Sequence, residues 1–105
     1  MKGGKPARLR RAALEDLRDA YAYYLRTDPH VADDFLAQAT DAQRNIESHP
    51  GAGSPRYGHL LDMPGLRCWP LDRFPHLIFY VERDDHLDVL RLLHQSRDIA
   101  AELVA

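Results

Sequence analysis

The sequence predicts an α+β domain of order β-α-α-β-β-β, with a helical hairpin packed on one face of an antiparallel sheet. Three observations carry this. Apolar residues recur at helical spacing through residues 11–46. A proline- and glycine-rich stretch, SHPGAGSPRYG, interrupts the chain at 48–58. From residue 66 onward the apolar period is that of strands.

The elements follow in order. Residues 7–10, ARLR, alternate briefly and read as one short strand. RAALEDLRDAYAYYLRT, residues 11–27, reads as a helix: Ala13, Leu14, Leu17, Ala20, Tyr21, Tyr24 and Leu25 share a face. Tyr23 falls on the opposite side. Asp28 is a strong N-cap, because its carboxylate can accept from free backbone amides. Pro29 then takes the first helical position, where a missing N–H does no harm. Val31, Phe35, Leu36, Ala39, Ala42 and Ile46 form a second stripe. The short break between the two helices implies an antiparallel hairpin.

After the loop at 48–58 come three strands. LRCWPL begins at residue 66, and Pro70 marks a sheet edge or a bulge. DRFP turns the chain into HLIFYVE, residues 76–82. Leu77, Phe79 and Val81 point one way, and Ile78 and Tyr80 the other. Both faces are apolar, so this strand is expected at the centre, covered on both sides. RDD is a charged turn. HLDVLRLL is the third strand of the meander. Leu90, Leu92 and His94 are expected on one face, with Leu87, Val89, Arg91 and Leu93 on the other. The final SRDIAAELVA reads as a short helix or a loose tail, with an Arg97–Asp98 pair able to pin the exit.

The totals bound the class. A chain of 105 residues is one domain's worth, taken here as a single unit over 1–105. Fourteen basic and sixteen acidic residues leave a net charge of -2, which argues against a protein that coats nucleic acid. Lys2, Lys5, Arg8, Arg10 and Arg11 cluster at the start, and the bland reading is a solvated terminus. Cys68 is the single cysteine, so an internal disulfide is excluded and the reducing cytoplasm is the expected compartment. The positive start has no apolar run after it, so no signal peptide is expected. FPHLIFYV is far short of the roughly 20 residues of a membrane helix.

The search for chemistry removes most classes. Histidines stand at 30, 49, 59, 76, 86 and 94 without ligand spacing, so no metal is expected. GAGSP lacks the lysine and the helix of a phosphate loop, and no serine sits in a nucleophile elbow. No cofactor is implied. Metal-free RNA cleavage remains. It needs a base, an acid and cations for the phosphate in the transition state. Arg67, Arg73, Arg91 and Arg97 are candidate cations, and His94 a candidate proton-transfer group. Equally, a histidine ending an apolar strand can simply hydrogen-bond the next loop. The tail after Arg97 offers no Tyr, His or Lys to complete an acid–base pair, and Tyr80 faces inward.

Taken together, these stretches resemble a known family. AALEDLRDAYAYYL, SHPGAGSPR and LRCWPLDRFPHLIFYVERDDHLDVLRLLHQSRDI resemble, in order and spacing, the ParE branch of the RelE/ParE toxins of bacterial type II toxin–antitoxin systems. The resemblance implies the same β-α-α-β-β-β fold. It implies either a ParE-like inhibitor of DNA gyrase that is not an enzyme, or a RelE-like ribosome-dependent endoribonuclease. The acidic balance and the missing terminal tyrosine depart from the RelE pattern and favour the inhibitor. Arg67, Arg73, His94 and Arg97 are then candidate target contacts. A ParD-like antitoxin is the implied partner, with Tyr23, Tyr24 and Leu36 as candidate contacts in the hairpin groove. Membrane binding and sequence-specific nucleic-acid binding are not expected.

Overall fold

A computed structural model describes residues 4–104; Lys2 of the basic start lies outside them. Strand β1 spans Ala7–Leu9, helix α1 Arg11–Thr27 and helix α2 Pro29–Ser48. Asp28 ends one helix and caps the next. Its backbone N–H donates to the Tyr24 carbonyl at 2.8 Å, and its carboxylate accepts from the His30 N–H at 2.9 Å. One residue therefore makes the hairpin turn, with Pro29 at the first position of α2 as its fixed φ favours.

The stretch at 48–58 is more ordered than its composition predicts. A 3₁₀ turn at Pro50–Ala52 and a five-residue helix, α3 at Arg56–Leu60, occupy most of it. Gly58 lets α3 lie on the sheet, because a Cβ there would stand 2.7 Å from the Leu66 carbonyl oxygen. Strands β2 (Leu66–Pro70), β3 (His76–Glu82) and β4 (Leu87–His94) follow, and helix α4 (Ile99–Val104) closes the described chain.

The sheet order is β1-β4-β3-β2. The meander β2–β3–β4 is antiparallel as expected, but β1 joins β4 in parallel, pairing Ala7 with Leu87 and Leu9 with Val89. The sheet is thus mixed, not wholly antiparallel. A three-residue strand carries no pattern that selects direction; tertiary bonds select it. Glu47 of α2 accepts from the Ala7 N–H at 2.7 Å, and Lys5 pairs with Glu82 at 2.9 Å. The described part of the basic start is therefore only partly solvated: Arg8 and Arg11 are exposed without an ion pair, and two of its cations are held. Lys5 is held, and Arg10 grips Asp88 through two bonds of 2.9 and 2.8 Å.

Strand β2 is an edge, where Pro70 is tolerated. Ser54 fills that edge by exchanging bonds of 2.8 and 2.9 Å with Cys68, which blunts it against foreign strands. Strand β3 is central. Ile78 and Tyr80 enter the core under the hairpin, and Phe79 enters the opposite core with Leu77 and Val81. The Tyr80 hydroxyl donates to the Pro50 carbonyl at 2.7 Å and accepts from the Gly53 N–H at 3.1 Å, so this buried ring leaves nothing unpaired.

Strand β4 does not alternate as expected. The register shifts between Phe79 and Tyr80: Phe79 faces Arg91, whereas Tyr80 faces Val89, and Leu90 is the extra residue of a β-bulge. Leu87, Val89 and Leu92 therefore share the hairpin core, and Leu90 and Leu93 share the other.

Two cores result. The larger lies between hairpin and sheet around Phe35, Ile46 and Ala13. Burying a ring such as Phe35 is worth roughly 2–3 kcal/mol. The smaller lies on the far face under Tyr57, Met63 and α4. The apolar stripe of α1 is wider than the surface it covers. Ala13, Leu17, Ala20 and Tyr24 meet the core, while Leu14, Leu25 and, on α2, Leu36 are exposed. No described helix is long and apolar enough to cross a membrane.

Candidate functional site

Among the described residues, a cleft of about 820 Å³ opens between α1, the start of β3, the end of β4 and the turn beyond it. Its origin is the shortness of β1, which covers only Leu87–Val89 of β4. Beyond Val89 the outer edge of β4 meets side chains instead of a strand. Asp16 of α1 accepts from the Leu92 N–H at 3.0 Å and binds Arg91 twice, at 2.7 and 2.9 Å. Arg91 also donates to the Glu102 carbonyl at 3.1 Å and pairs with its carboxylate at 3.2 Å. The bulge at Leu90 places Arg91 where it reaches both α1 and α4.

Arg97 completes this network. It pairs with Glu102, not with Asp98 as the sequence suggests. Asp98 instead accepts from the Ala101 N–H at 3.2 Å and starts α4. The neighbouring arginines hold the Glu102 carboxyl below its ordinary range, Arg97 most of all. Both arginines of the cleft are therefore committed within the chain.

Two histidines meet in the cleft wall. His76 and His94 are register partners at the open ends of β3 and β4, with ring centroids 5.2 Å apart. His94 Nδ1 accepts from the Ser96 N–H at 3.0 Å, so the ring proton stands on Nε2. His76 is 6% exposed, and its Nδ1 has no hydrogen-bond partner. Burial first, and the proximity of His94 second, push His76 down to about 4. Its ring sits 5.0 Å from Phe35 and 6.1 Å from Tyr24. Tyr24 packs on Phe35 and Phe74 at 5.2 Å each, and burial raises its phenol above the ordinary value. Tyr23 is 60% exposed and meets Tyr24 edge-on at 5.3 Å.

The fold thus divides the candidate residues differently from the sequence. His94, Arg97, Tyr23 and Tyr24, drawn from two separate expected surfaces, line one cleft. Arg73 is exposed in the turn before β3, at the same end of the sheet, with φ of 66°. Arg67 lies apart on β2, donating to the Gly53 carbonyl at 2.8 Å. Leu36 lines a separate groove on α2 with Asp33 and Arg44. Sequence reasoning passed over His76, Glu15, Asp16 and Asp19, all of which line the cleft. The i, i+4 spacing of Glu15 and Asp19 is a visible signal of a shared helix face. The pairing of His76 with His94 has none, because the bulge decides it. Among the described residues, no three His, Cys, Asp or Glu side chains gather as metal ligands.

A family model described as the ParE toxin of type II toxin–antitoxin system, parDE, matches residues 7–99. A search of curated protein sequences finds no match. Among solved structures, a chain of the chromosomal ParDE TA system from P. aeruginosa superposes with a TM-score of 0.72. It is 22% identical over 86% of this chain and 95% of that one. At that identity the likeness is one of fold.

Proposed function

This chain belongs to the ParE toxin family of type II toxin–antitoxin systems, and from that premise we propose that it arrests growth by binding DNA gyrase, without cutting nucleic acid. A parDE system implies an antitoxin partner. In the proposed reading that partner is ParD-like and acts with the toxin in the cytoplasm.

One observation carries the non-enzymatic reading. Cleaving a phosphodiester requires cations free to meet the charge of the transition state. Arg91 and Arg97 are both engaged by Asp16 and Glu102, and Glu15 and Asp19 add negative charge to the same cleft. A phosphate entering it meets carboxylates. The proposed target contacts are Arg73, His94 and Arg97 at the open end of the sheet, with Arg67 on the flank of β2. Arg73, exposed and without an ion pair among the described residues, can meet a carboxylate of the target in a bidentate pair. Purified chain, freed of antitoxin, is expected to block supercoiling by gyrase or to trap cleaved DNA. No effect at large excess over gyrase overturns the proposal.

The antitoxin contacts in this reading are Tyr23 and Tyr24, with Leu36 on α2, met by a segment that folds as it binds. A cation introduced there, as in Tyr23→Lys, is expected to weaken the complex and leave the melting temperature nearly unchanged.

A second reading has one observation in its favour. His76 and His94 stand side by side, and a paired acid and base is what RNA cleavage of the RelE type needs. Primer extension on messenger RNA after induction tests it. Codon-linked cuts that vanish in His94→Ala select this reading over the first.

A further inference from the structure

The cleft carries a charge imbalance that the chain itself leaves unanswered. Asp16 and Glu102 match Arg91 and Arg97, two acids against two bases, and this part of the wall is neutral. Glu15 and Asp19 remain. Both are exposed, both line the cleft, and among the described residues neither makes an ion pair. They stand one turn apart on α1, where like charges oppose each other. They also lie beyond the first turn of the helix, where its dipole does little for a carboxylate.

A second feature of the same cleft is an uncharged ring beside the carboxylates. His76 is nine-tenths buried with its ring in the cleft wall, and its Nδ1, itself closed to solvent, has no hydrogen-bond partner among the described residues. A buried polar group left unpaired is costly, and a neutral imidazole does not repel a cation. The exposed ring of Tyr23 lines the same cleft and offers a π face.

We propose that this cleft receives an arginine or lysine side chain of the antitoxin, its cationic head between Glu15 and Asp19 and its stem against Tyr23. The inference rests on the antitoxin reading above and adds the chemistry of the contact. Negative carboxylates, an aromatic face and a neutral imidazole together fit a guanidinium or ammonium group. They do not fit a phosphate or a carboxylate. The ring of Tyr23 and the Leu92 and Ala20 side chains give the aliphatic stem an apolar wall.

The test has two arms. In the first, N-acetyl-arginine amide and N-acetyl-citrulline amide, which match in size and differ in charge, are titrated into the full chain. The ring signals of His76, His94 and Tyr23 are followed by NMR. The arginine probe is expected to shift them saturably. Citrulline, or arginine with E15Q/D19N, is expected to bind about 10-fold more weakly, and arginine with Tyr23→Ala about 3-fold more weakly. Equal binding of citrulline, unchanged binding to E15Q/D19N, or the same shifts produced by inorganic phosphate would overturn the proposal. In the second arm, the antitoxin encoded beside the toxin is titrated with wild-type chain and with E15Q/D19N. A loss of about 10-fold in the variant, larger at low salt, supports the proposal. Equal affinity of both chains for the antitoxin sinks the inference alone. Failure of the wild-type chain to bind antitoxin sinks the antitoxin reading and this assignment of the side chain's owner, while the first arm still decides what the cleft binds.

Discussion

The two halves of β4 differ in how their outer edge is closed. From Leu87 to Val89 the edge is closed by backbone: β1 lies alongside, the Leu87 N–H donates to Pro6, and the Val89 carbonyl accepts from Arg10. From Leu90 to His94 it is closed by side chains, with Asp16 standing where a strand would be. Each half holds an ion network. Asp88 takes Arg10 and Arg83, and Arg91 takes Asp16 and Glu102. The first network reinforces a ladder that exists without it. The second replaces the ladder, and the space left beside it is the cleft. A strand that stops after three residues is therefore how this fold opens the cleft.

The sharpest way to break this comparison is at Asp16. Removing it in Asp16→Ala leaves Arg91 short of a partner and the Leu92 N–H unpaired in a mostly buried place. Urea unfolding is expected to show a loss of about 4 kcal/mol. A loss below about 1 kcal/mol would mean the side-chain edge carries no more than a surface ion pair.

The histidine pair sharpens the contrast through pH. His76 titrates near 4 in the folded chain and near 6.5 when unfolded. The unfolded chain therefore takes up the proton first as pH falls. Stability is full above 6.5 and declines down to about 4, by up to about 3 kcal/mol. In His76→Phe this slope is expected to flatten, because a ring of similar size fills the aromatic pocket without a titrating group. An unchanged slope in urea melts between pH 7 and 4 would place its source elsewhere.

Asp88 is the matched control for Asp16. Arg10 above all, and then Arg83, hold its carboxyl below the ordinary range. Its contribution is present above the normal carboxylate pKa and is lost as pH falls through the lowered one. Asp88→Asn is expected to cost about 2 kcal/mol, since the backbone bonds to β1 persist. A loss equal to that of Asp16→Ala would erase the difference between the two halves. The smallest effect is expected at Tyr23, 60% exposed, where Tyr23→Ala should change stability by less than about 0.5 kcal/mol.

Much of this was legible in the chain. The helix over 11–27, the Asp28–Pro29 turn and the strand over 76–82 stand where periodicity and capping place them. Each depends on neighbours within a turn or a strand, and local chemistry is enough. The cleft was legible only in pieces. His94, Arg97, Tyr23 and Tyr24 were recognisable as candidates, but nothing in their spacing joins positions 23–24 to 94–97. Arg97 stands beside Asp98 in sequence yet bonds Glu102, because the turn of α4 brings that carboxylate back.

What the sequence determined by itself is the order and nature of the elements, since hydrophobic period, proline and a capping carboxylate act over a few residues. What only the tertiary structure decided is how they meet. Carried on in the register that pairs Glu82 with Leu87, His76 would face Leu93; the bulge at Leu90 moves it opposite His94. The parallel docking of β1 leaves Asp16 to close the edge. Both outcomes rest on contacts between residues from 18 positions apart, His76 and His94, to 80, Ala7 and Leu87, whose energies exist only once the chain has folded.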